Sequence, residues 1–289
     1  MKARKSHVSR RSFLASAGAG GLLVARWPRA ATAQSSAAAA NGALRAPAWD
    51  GVPACTASNT DGAGQGPFFI HNRERGDDID MFRQDIRGRY RQDAEPGTEM
   101  QLHLRILDAG AANCGATPVS GVEVYVWHTD AQGFYSGFGE PGEQTPDLPY
   151  RGRPNQNDLR NTDRFCRGAG VTDATGVVSF RSIFPGWYNG RDVHIHLMVL
   201  RPGSDARGRQ TYRGGEHIFT SQFYFEPNLI DRVHKASEPY RRRTVLDAYA
   251  GAILGDERNN SGLRAKASFD GSVVQAQMQI LLSPAGSRV

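Results

Sequence analysis

The most constraining feature of this 289-residue chain is a series of short apolar segments separated by turn residues. From about residue 100 onward, apolar side chains alternate with polar ones or form short runs, and Gly, Pro, Asn or Asp bounds each segment. An alternation with period two is typical of half-buried strands. The predicted strands cover residues 100–107, 122–128, 176–182, 193–200, 217–225 and 273–282.

The connections between these segments are too short and too turn-rich for helical crossovers between parallel strands. The 33 glycines and 15 prolines also favour frequent turns and few long helices. The sequence therefore predicts an all-β chain, an antiparallel sandwich or barrel. One peripheral helix is predicted at residues 241–254, and no internal repeat is visible.

The first 33 residues have the layout of a secretory signal peptide. A basic stretch precedes a short, weakly apolar run, and Ala31-Thr32-Ala33 offers a small-residue cleavage pattern. The string from Ser9 to Leu14 contains Arg10 and Arg11 and resembles the twin-arginine export signal, which carries folded proteins. We expect a periplasmic or extracellular location, a flexible Ala/Ser-rich spacer at residues 34–60, and one folded domain at residues 61–289.

The net charge of +6 first suggests a nucleic-acid or membrane partner. Residues 1–33 hold seven of the 35 Lys and Arg residues and no acid, so the remaining chain has 28 basic and 29 acidic residues. The basic character therefore belongs to the leader, and we expect no nucleic-acid partner. No later stretch approaches the length of about 18 apolar residues that a spanning helix needs.

The segment from Ile183 to Leu197 carries the strongest chemical signal. His194 and His196 are two residues apart on a predicted strand, so both imidazoles project from one face while Ile195 and Leu197 face the other. Neighbouring imidazoles can chelate a metal, although such a pair is often structural.

Two tyrosines at turns add to this pair. Pro185-Gly186 predicts a turn just before Tyr188, and Gly133 predicts another that places Tyr135 at a strand end. Phenolate oxygens are hard, anionic ligands, so two tyrosines with two histidines favour iron(III) over zinc or copper.

Two strings resemble the metal-ligand motifs of the intradiol ring-cleavage dioxygenases, the family of protocatechuate 3,4-dioxygenase and catechol 1,2-dioxygenase. They are VYVWHTDAQGFYSGF at residues 124–138 and FRSIFPGWYNGRDVHIHLMVL at residues 180–200. Residues 65–69 are similar to the entry segment of that family, and residues 220–226 to the strand that follows its ligand strand. The resemblance spans residues 60–230 in the order of the family.

This resemblance implies an antiparallel β-sandwich with long active-site loops and a non-haem Fe(III). Tyr188 and His194 would be its axial ligands, and Tyr135 and His196 its equatorial ligands. Arg191 matches the active-site arginine of the family, and Gln222 matches a glutamine that positions that arginine. The implied reaction inserts both atoms of O2 into a catechol-type aromatic diol and cleaves the ring between the hydroxyls to a muconate-type diacid.

The sequence departs from the family in two places. Phe68 and Phe69 occupy entry-segment positions where tyrosines are common, so hydroxyl groups at these positions are absent. The helical dimerisation segment of the catechol dioxygenases has no counterpart before Gly66. The sequence leaves open the catechol derivative, a homo-oligomeric state and the need for a partner subunit.

Several features have two interpretations. Residues 139–163 form a long polar segment, either a flap over the iron site or a surface insert. Cys55, Cys114 and Cys166 allow three different single disulfides. His128 is interpreted as a structural histidine rather than a ligand.

Two alternative functions are kept. A secreted β-sandwich binding module without catalytic iron would use the same aromatic residues as surface contacts. A zinc hydrolase would use the histidine pair, but it lacks a convincingly placed acidic base.

Overall fold

The computed structural model describes residues 44, 46–49, 66, 68–70, 81–88, 96–108, 117–138, 159, 161–188, 192–201, 216–240 and 264–282. The predicted leader, Arg191, the predicted helix at residues 241–254, Cys55 and Cys114 lie outside these residues, as do most of the spacer and most of residues 139–163. Among the described residues, no helix is long and apolar enough to span a membrane.

Strands dominate the described part of the chain. They are β1 (Glu99–Asp108), β2 (Thr117–Pro118), β3 (Glu123–Trp127), β4 (Arg167–Val171), β5 (Val177–Ile183), β6 (His194–Arg201), β7 (Glu216–Tyr224), β8 (Lys266–Phe269) and β9 (Val273–Leu282). One helix is described, α1 (Pro227–Ala236). All six predicted strands are present, and the all-β prediction is confirmed.

The strands form two sheets. The first has the order β2-β1-β9-β8, with β5 also paired to β1, and the second has the order β4-β3-β6-β7. The described pairs are antiparallel, as expected for this sandwich, except that β1 and β9 run parallel. The second sheet is the one that carries the histidine pair.

The main apolar core is built from the inward-facing side chains of both sheets. From the first sheet come residues such as Leu102, Phe180 and Ala276, and from the second come Val126, Ile195 and Leu197. Because strand side chains alternate between faces, His194 and His196 project to the opposite side of the second sheet. A smaller cluster of Phe69, Met81, Tyr125, Trp127 and other apolar side chains covers that side.

Helix α1 was not predicted, and the expectation of a single helix at residues 241–254 was wrong on this point. Pro227 begins the helix, a position where its fixed φ and missing N–H are tolerated. Leu229, Ile230 and Val233 are buried on one face of the helix. The helix has only ten residues, which explains why its periodicity is hard to recognise in the sequence.

Candidate active site

A row of four neighbouring residues crosses the second sheet at one end. Arg167 on β4 is the register partner of Trp127 on β3, Trp127 is the partner of His196 on β6, and His196 is the partner of Gln222 on β7. Residues in register lie about 4.5–5.5 Å apart at Cβ, so their side chains meet on one face. Only His196 and Gln222 in this row were predicted as site residues.

Tyr135 reaches this row from the turn after β3. The Asp130 carboxylate accepts hydrogen bonds from the backbone N–H groups of Gln132 and Phe134, both at 2.9 Å. The Gly133 N–H donates to the Asp130 carbonyl at 3.2 Å. Asp130 therefore holds the turn, and the chain emerges from it with Tyr135 directed into the sheet face.

The loop that carries Tyr188 is docked against the same turn. The Gly186 N–H donates to the Asp130 carbonyl at 2.8 Å, and the Thr129 hydroxyl donates to the Gly186 carbonyl at 2.9 Å. Gly133 has a φ of +90°, and a Cβ at this position would collide with the Trp187 carbonyl oxygen. The two tyrosine loops thus form one hydrogen-bonded unit, and a glycine at position 133 permits their close approach.

Three side-chain heteroatoms, two imidazole nitrogens and one phenolic oxygen, converge on one point of the site. Tyr135 Oη lies 3.1 Å from His194 Nε2 and 3.0 Å from His196 Nε2, and the two Nε2 atoms are 3.1 Å apart. All three side chains are buried, with exposed fractions of 1% for Tyr135, 3% for His194 and 1% for His196. The structure therefore brings together three of the four predicted ligands through the atoms that would bind a metal.

The backbone fixes which nitrogen of His194 carries a proton. Its Nδ1 lies 2.6 Å from the carbonyl oxygen of Asp192, and a carbonyl oxygen can only accept a hydrogen bond. In the neutral imidazole, Nδ1 therefore carries the hydrogen and Nε2 presents a lone pair to the site. Metal-binding histidines commonly have this arrangement, with the second ring nitrogen donating to a carbonyl.

The donor atoms suit a metal ion better than they suit one another. With His194 Nε2 unprotonated, the three contacts have at most two hydrogens to share, one on Tyr135 Oη and one on His196 Nε2. A cation about 2.0–2.1 Å from each atom, a usual length for imidazole and oxygen ligands, satisfies all three at the observed separations. No third His, Cys, Asp or Glu joins the histidine pair among the described residues. The donor set is therefore imidazole and phenol, which fits iron(III).

Tyr188 lies beside this triangle. Its ring centroid is 5.7 Å from that of His194 and 5.9 Å from that of Tyr135. Tyr188 is partly exposed, whereas Tyr135 is buried. The two tyrosines thus differ in exposure, because Tyr135 is enclosed by its neighbours and Tyr188 is partly accessible to solvent.

Aromatic side chains enclose Tyr135 and His196. Phe68 stacks on the Tyr135 ring with a centroid distance of 4.2 Å, and Trp127 stacks on the His196 ring at 4.9 Å. Gly66 has a φ of +71°, and a Cβ there would lie 2.8 Å from His196 Cε1. The entry segment is therefore packed against two of the predicted ligands, and Phe68 contributes an apolar face and no hydroxyl.

Gln222 is buried beside the histidines, and its side-chain oxygen accepts a hydrogen bond from the Tyr224 hydroxyl at 3.4 Å. Its predicted partner Arg191 lies outside the described residues. The positioning of that arginine by Gln222 remains a prediction.

The other buried histidines have structural contacts. His128 Nε2 lies 2.8 Å from the Ser182 hydroxyl, and its Nδ1 donates to the Thr129 carbonyl at 2.7 Å. Complete burial lowers the pKa of His128 to about 4, so this imidazole is neutral at physiological pH. His234 on α1 donates through Nε2 to the Pro185 carbonyl at 3.0 Å and thereby anchors the start of the Tyr188 loop. Cys166, the one cysteine among the described residues, is buried.

Sequence reasoning missed Arg167 and Trp127, which line the site from β4 and β3. Trp127 lies two residues after Tyr125 and therefore on the same face of the strand. No sequence signal, however, relates this strand to the strand that carries the histidines. The register of β3 with β6 and β4 supplies that relation, and register between distant segments is not visible in one sequence.

Comparison with known proteins gives a likeness at the level of structure. No protein-family model matches the sequence, and no curated protein matches it. An intradiol ring-cleavage dioxygenase from Tetranychus urticae superimposes with a TM-score of 0.57 at 21% identity, covering 78% of this chain and 94% of the other. A second dioxygenase crystal structure gives a TM-score of 0.51 at 22% identity, with 76% and 92% covered. At these identities the likeness establishes the fold.

Proposed function

We propose that this protein is a mononuclear non-haem iron(III) dioxygenase that cleaves a catechol-type aromatic diol between its two hydroxyl groups. The substrates are the diol and O2, and the product is a muconate-type diacid. The observation that carries the proposal is the convergence of Tyr135 Oη, His194 Nε2 and His196 Nε2 within 3.1 Å of one another. The fold shared with an intradiol ring-cleavage dioxygenase supports it.

Tyr135, Tyr188, His194 and His196 would hold the iron. When bound, iron(III) would supply Lewis acidity and would make a chelated catecholate reactive toward O2 without a reductant or an organic cofactor. The remaining contributions come from the chain, and they follow from the unequal surroundings of the two tyrosines.

Tyr135 is suited to remain a ligand throughout. Phe68 stacks on its ring, and the backbone on either side is held by the Asp130 turn and by hydrogen bonds to Ser136. Movement of this ring would require repacking of a close-packed aromatic cluster. The buried oxygen therefore stays in place.

Tyr188 is suited to give way to the substrate. It is partly exposed at the end of a loop, and its ring is in edge-to-face contact with Tyr135, His194 and Phe68 rather than stacked. In our proposal Tyr188 would make room for the incoming diol, and its oxygen would accept one of the two phenolic protons of the substrate, while a solvent-derived hydroxide would accept the other. A base within hydrogen-bond reach of the proton it removes is what such a transfer needs.

The aromatic walls would exclude water and restrict the orientation of the substrate ring. Phe68 and Phe138 meet edge to face at 5.3 Å, next to Tyr135. Arg191 is proposed to stabilise the negative charge that develops on the substrate carbon attacking O2, with Gln222 holding it in position.

The visible spectrum tests this proposal most directly. Purified protein reconstituted with iron(III) is expected to bind about one iron per chain and to become burgundy through tyrosinate-to-iron charge transfer. Addition of a catechol should shift the band and start oxygen consumption, and a panel of substituted catechols would identify the substrate. A colourless protein that nevertheless contains iron would refute the proposal.

The binding-module alternative predicts a different result. Such a protein would take up no iron under these conditions and would consume no oxygen with any catechol.

Export remains part of the proposal. We infer that residues 1–33 direct the folded, iron-loaded protein through the twin-arginine route, leaving residues 61–289 as the catalytic domain. Conversion of Arg10 and Arg11 to lysine should retain the protein in the cytoplasm of an expressing bacterium. Cell fractionation measures this, and unchanged export would contradict the inference.

A further inference from the structure

The side chain of Arg167 is a buried cation next to the predicted metal ligand Tyr135. Arg167 is fully buried at the start of β4. The carbon at the centre of its guanidinium lies 5.9 Å from the centroid of the Tyr135 ring and 5.6 Å from that of Phe138. Both distances are within the range of cation–π attraction.

The guanidinium is held by the residue that follows Tyr135. Its Nε donates to the Ser136 hydroxyl at 2.9 Å, and its Nη2 donates to the Ser136 carbonyl at 3.1 Å. The Ser136 hydroxyl in turn donates to the Phe165 carbonyl at 2.7 Å, just before β4. This network connects β4 to the Tyr135 turn and fixes the position of the charge.

No carboxylate forms an ion pair with Arg167 in the part of the chain that the structure describes. A buried charge without an ionic partner is costly and is normally balanced in some way. A tyrosine bound to iron(III) is a phenolate, so Tyr135 becomes a suitable counter-charge when the site is loaded.

We propose that Arg167 is a charge-tuning and positioning residue for Tyr135, holding the turn through Ser136 and stabilising the electrons of the Tyr135 phenolate in the iron-loaded protein. This inference rests on the proposed iron site. Arg167 touches the Tyr135 ring, and no described contact joins it to His194 or His196. Its charge therefore acts mainly on the electron donor of the tyrosinate-to-iron transition.

The proposal fixes the sign of a spectroscopic change. Charge transfer moves an electron away from the phenolate, and a nearby positive charge resists that movement. Removal of the charge should lower the transition energy and move the band to longer wavelength. Coulomb attraction over about 6 Å at an effective dielectric constant near 20 corresponds to a shift on the order of 10 nm.

Four variants separate charge from packing. Arg167→Met and Arg167→Gln remove the charge, whereas Arg167→Lys keeps the charge but loses the pair of hydrogen bonds to the Ser136 hydroxyl and carbonyl. Methionine brings no polar atom of its own into the buried site, so it keeps the test available if the glutamine variant fails to fold. Arg83→Met is the matched control, because Arg83 also packs against β4 but donates to the backbone carbonyls of Arg164 and Arg167.

The band of each folded, iron-loaded protein is measured, and circular dichroism verifies folding. We expect a red shift in Arg167→Met and Arg167→Gln, a smaller change in Arg167→Lys, which keeps the charge but loses the Ser136 contacts, and no shift in Arg83→Met. If Arg167 acted only through its contacts with Ser136, Arg167→Lys would shift the band as much as Arg167→Met does, and this result would overturn the inference. Unchanged bands in all variants, or equal shifts in the methionine variants of Arg83 and Arg167, would also overturn it. A wild-type protein without any band would instead refute the iron site itself, and the inference would fall with it.

Discussion

The close contact between the two tyrosine loops can be tested with one methyl group. Gly133→Ala would place a Cβ against the Trp187 carbonyl oxygen, at a residue whose φ is +90°. Gly121 offers a matched control, since its φ is +78° and no atom lies within 4 Å of where a Cβ would be. The two substitutions thus impose a similar backbone cost and differ in the contact.

The expected losses of stability follow from the cost of the left-handed backbone and the cost of the added steric contact. A left-handed backbone conformation costs an L-residue about 1–2 kcal/mol, and this is the whole cost expected for Gly121→Ala. Overpacking a filled site adds about 1–3 kcal/mol, so Gly133→Ala should lose about 2–5 kcal/mol. Because the added methyl group must push residues 187 and 188 away, the second variant should also shift or weaken the charge-transfer band.

Equilibrium urea unfolding of the iron-free proteins measures the loss of stability. The visible spectrum of the iron-loaded proteins measures the change in the charge-transfer band. Gly121→Ala should keep the wild-type band. Equal losses of stability in the two variants, within about 0.5 kcal/mol, together with two unchanged bands would refute the reasoning, since the loops would then not depend on their contact at position 133.

Three further predictions concern single side chains. Tyr135→Phe should bleach or shift the charge-transfer band, whereas Tyr240→Phe, a change at a buried tyrosine whose hydroxyl donates to the Phe184 carbonyl, should leave it in place. His128 has its pKa lowered to about 4 from 6.5, so the unfolded chain takes up the proton first and acid removes stability between about pH 6.5 and 4. The full effect is on the order of 3 kcal/mol, and His128→Gln should flatten the unfolding free energy against pH in that window. Burial raises the pKa of Glu123 to about 7 from 4.5, so ionisation as the pH rises through this range costs stability, and Glu123→Gln should be more stable than the wild type above pH 7 in thermal melts.

The six predicted strands share a signal that can be read locally. Each has apolar side chains with period two or an apolar run, and β9 was predicted with the bounds that the structure has. The parallel pairing of β1 with β9 joins segments about 170 residues apart in the chain. Nothing in either segment alone specifies that partner.

Strand β4 shows why other elements were missed. Its sequence is RGAGV, and the side-chain positions of Gly168 and Gly170 are occupied by atoms of Ile86 and Val178. The strand is therefore completed by apolar groups from elsewhere, and it lacks the alternation that identifies a strand. Arg167 was overlooked for the same reason, because it begins a strand that the sequence does not reveal.

The candidate site was predicted from two short motifs, and they account for the atoms that converge. The pair His194 and His196 shares a face because a strand alternates, and Gly133 and Gly186 place the tyrosines because turns allow close approach. The surrounding residues Phe68, Trp127 and Arg167 come from segments that meet only through the register of the second sheet. Their roles depend on distance and burial, which alternation alone does not define.

The depth of the site bears on the choice between an enzyme and a binding module. A recognition surface needs exposed rings, because its partner must reach their faces. Here the rings of Tyr135 and His196 are already stacked on Phe68 and Trp127, and their polar atoms point at one another. An ion or a small molecule suits such buried atoms, and the partly exposed Tyr188 lies beside them. The burial of the site therefore favours the proposed enzyme over a module that binds a polymer or a protein.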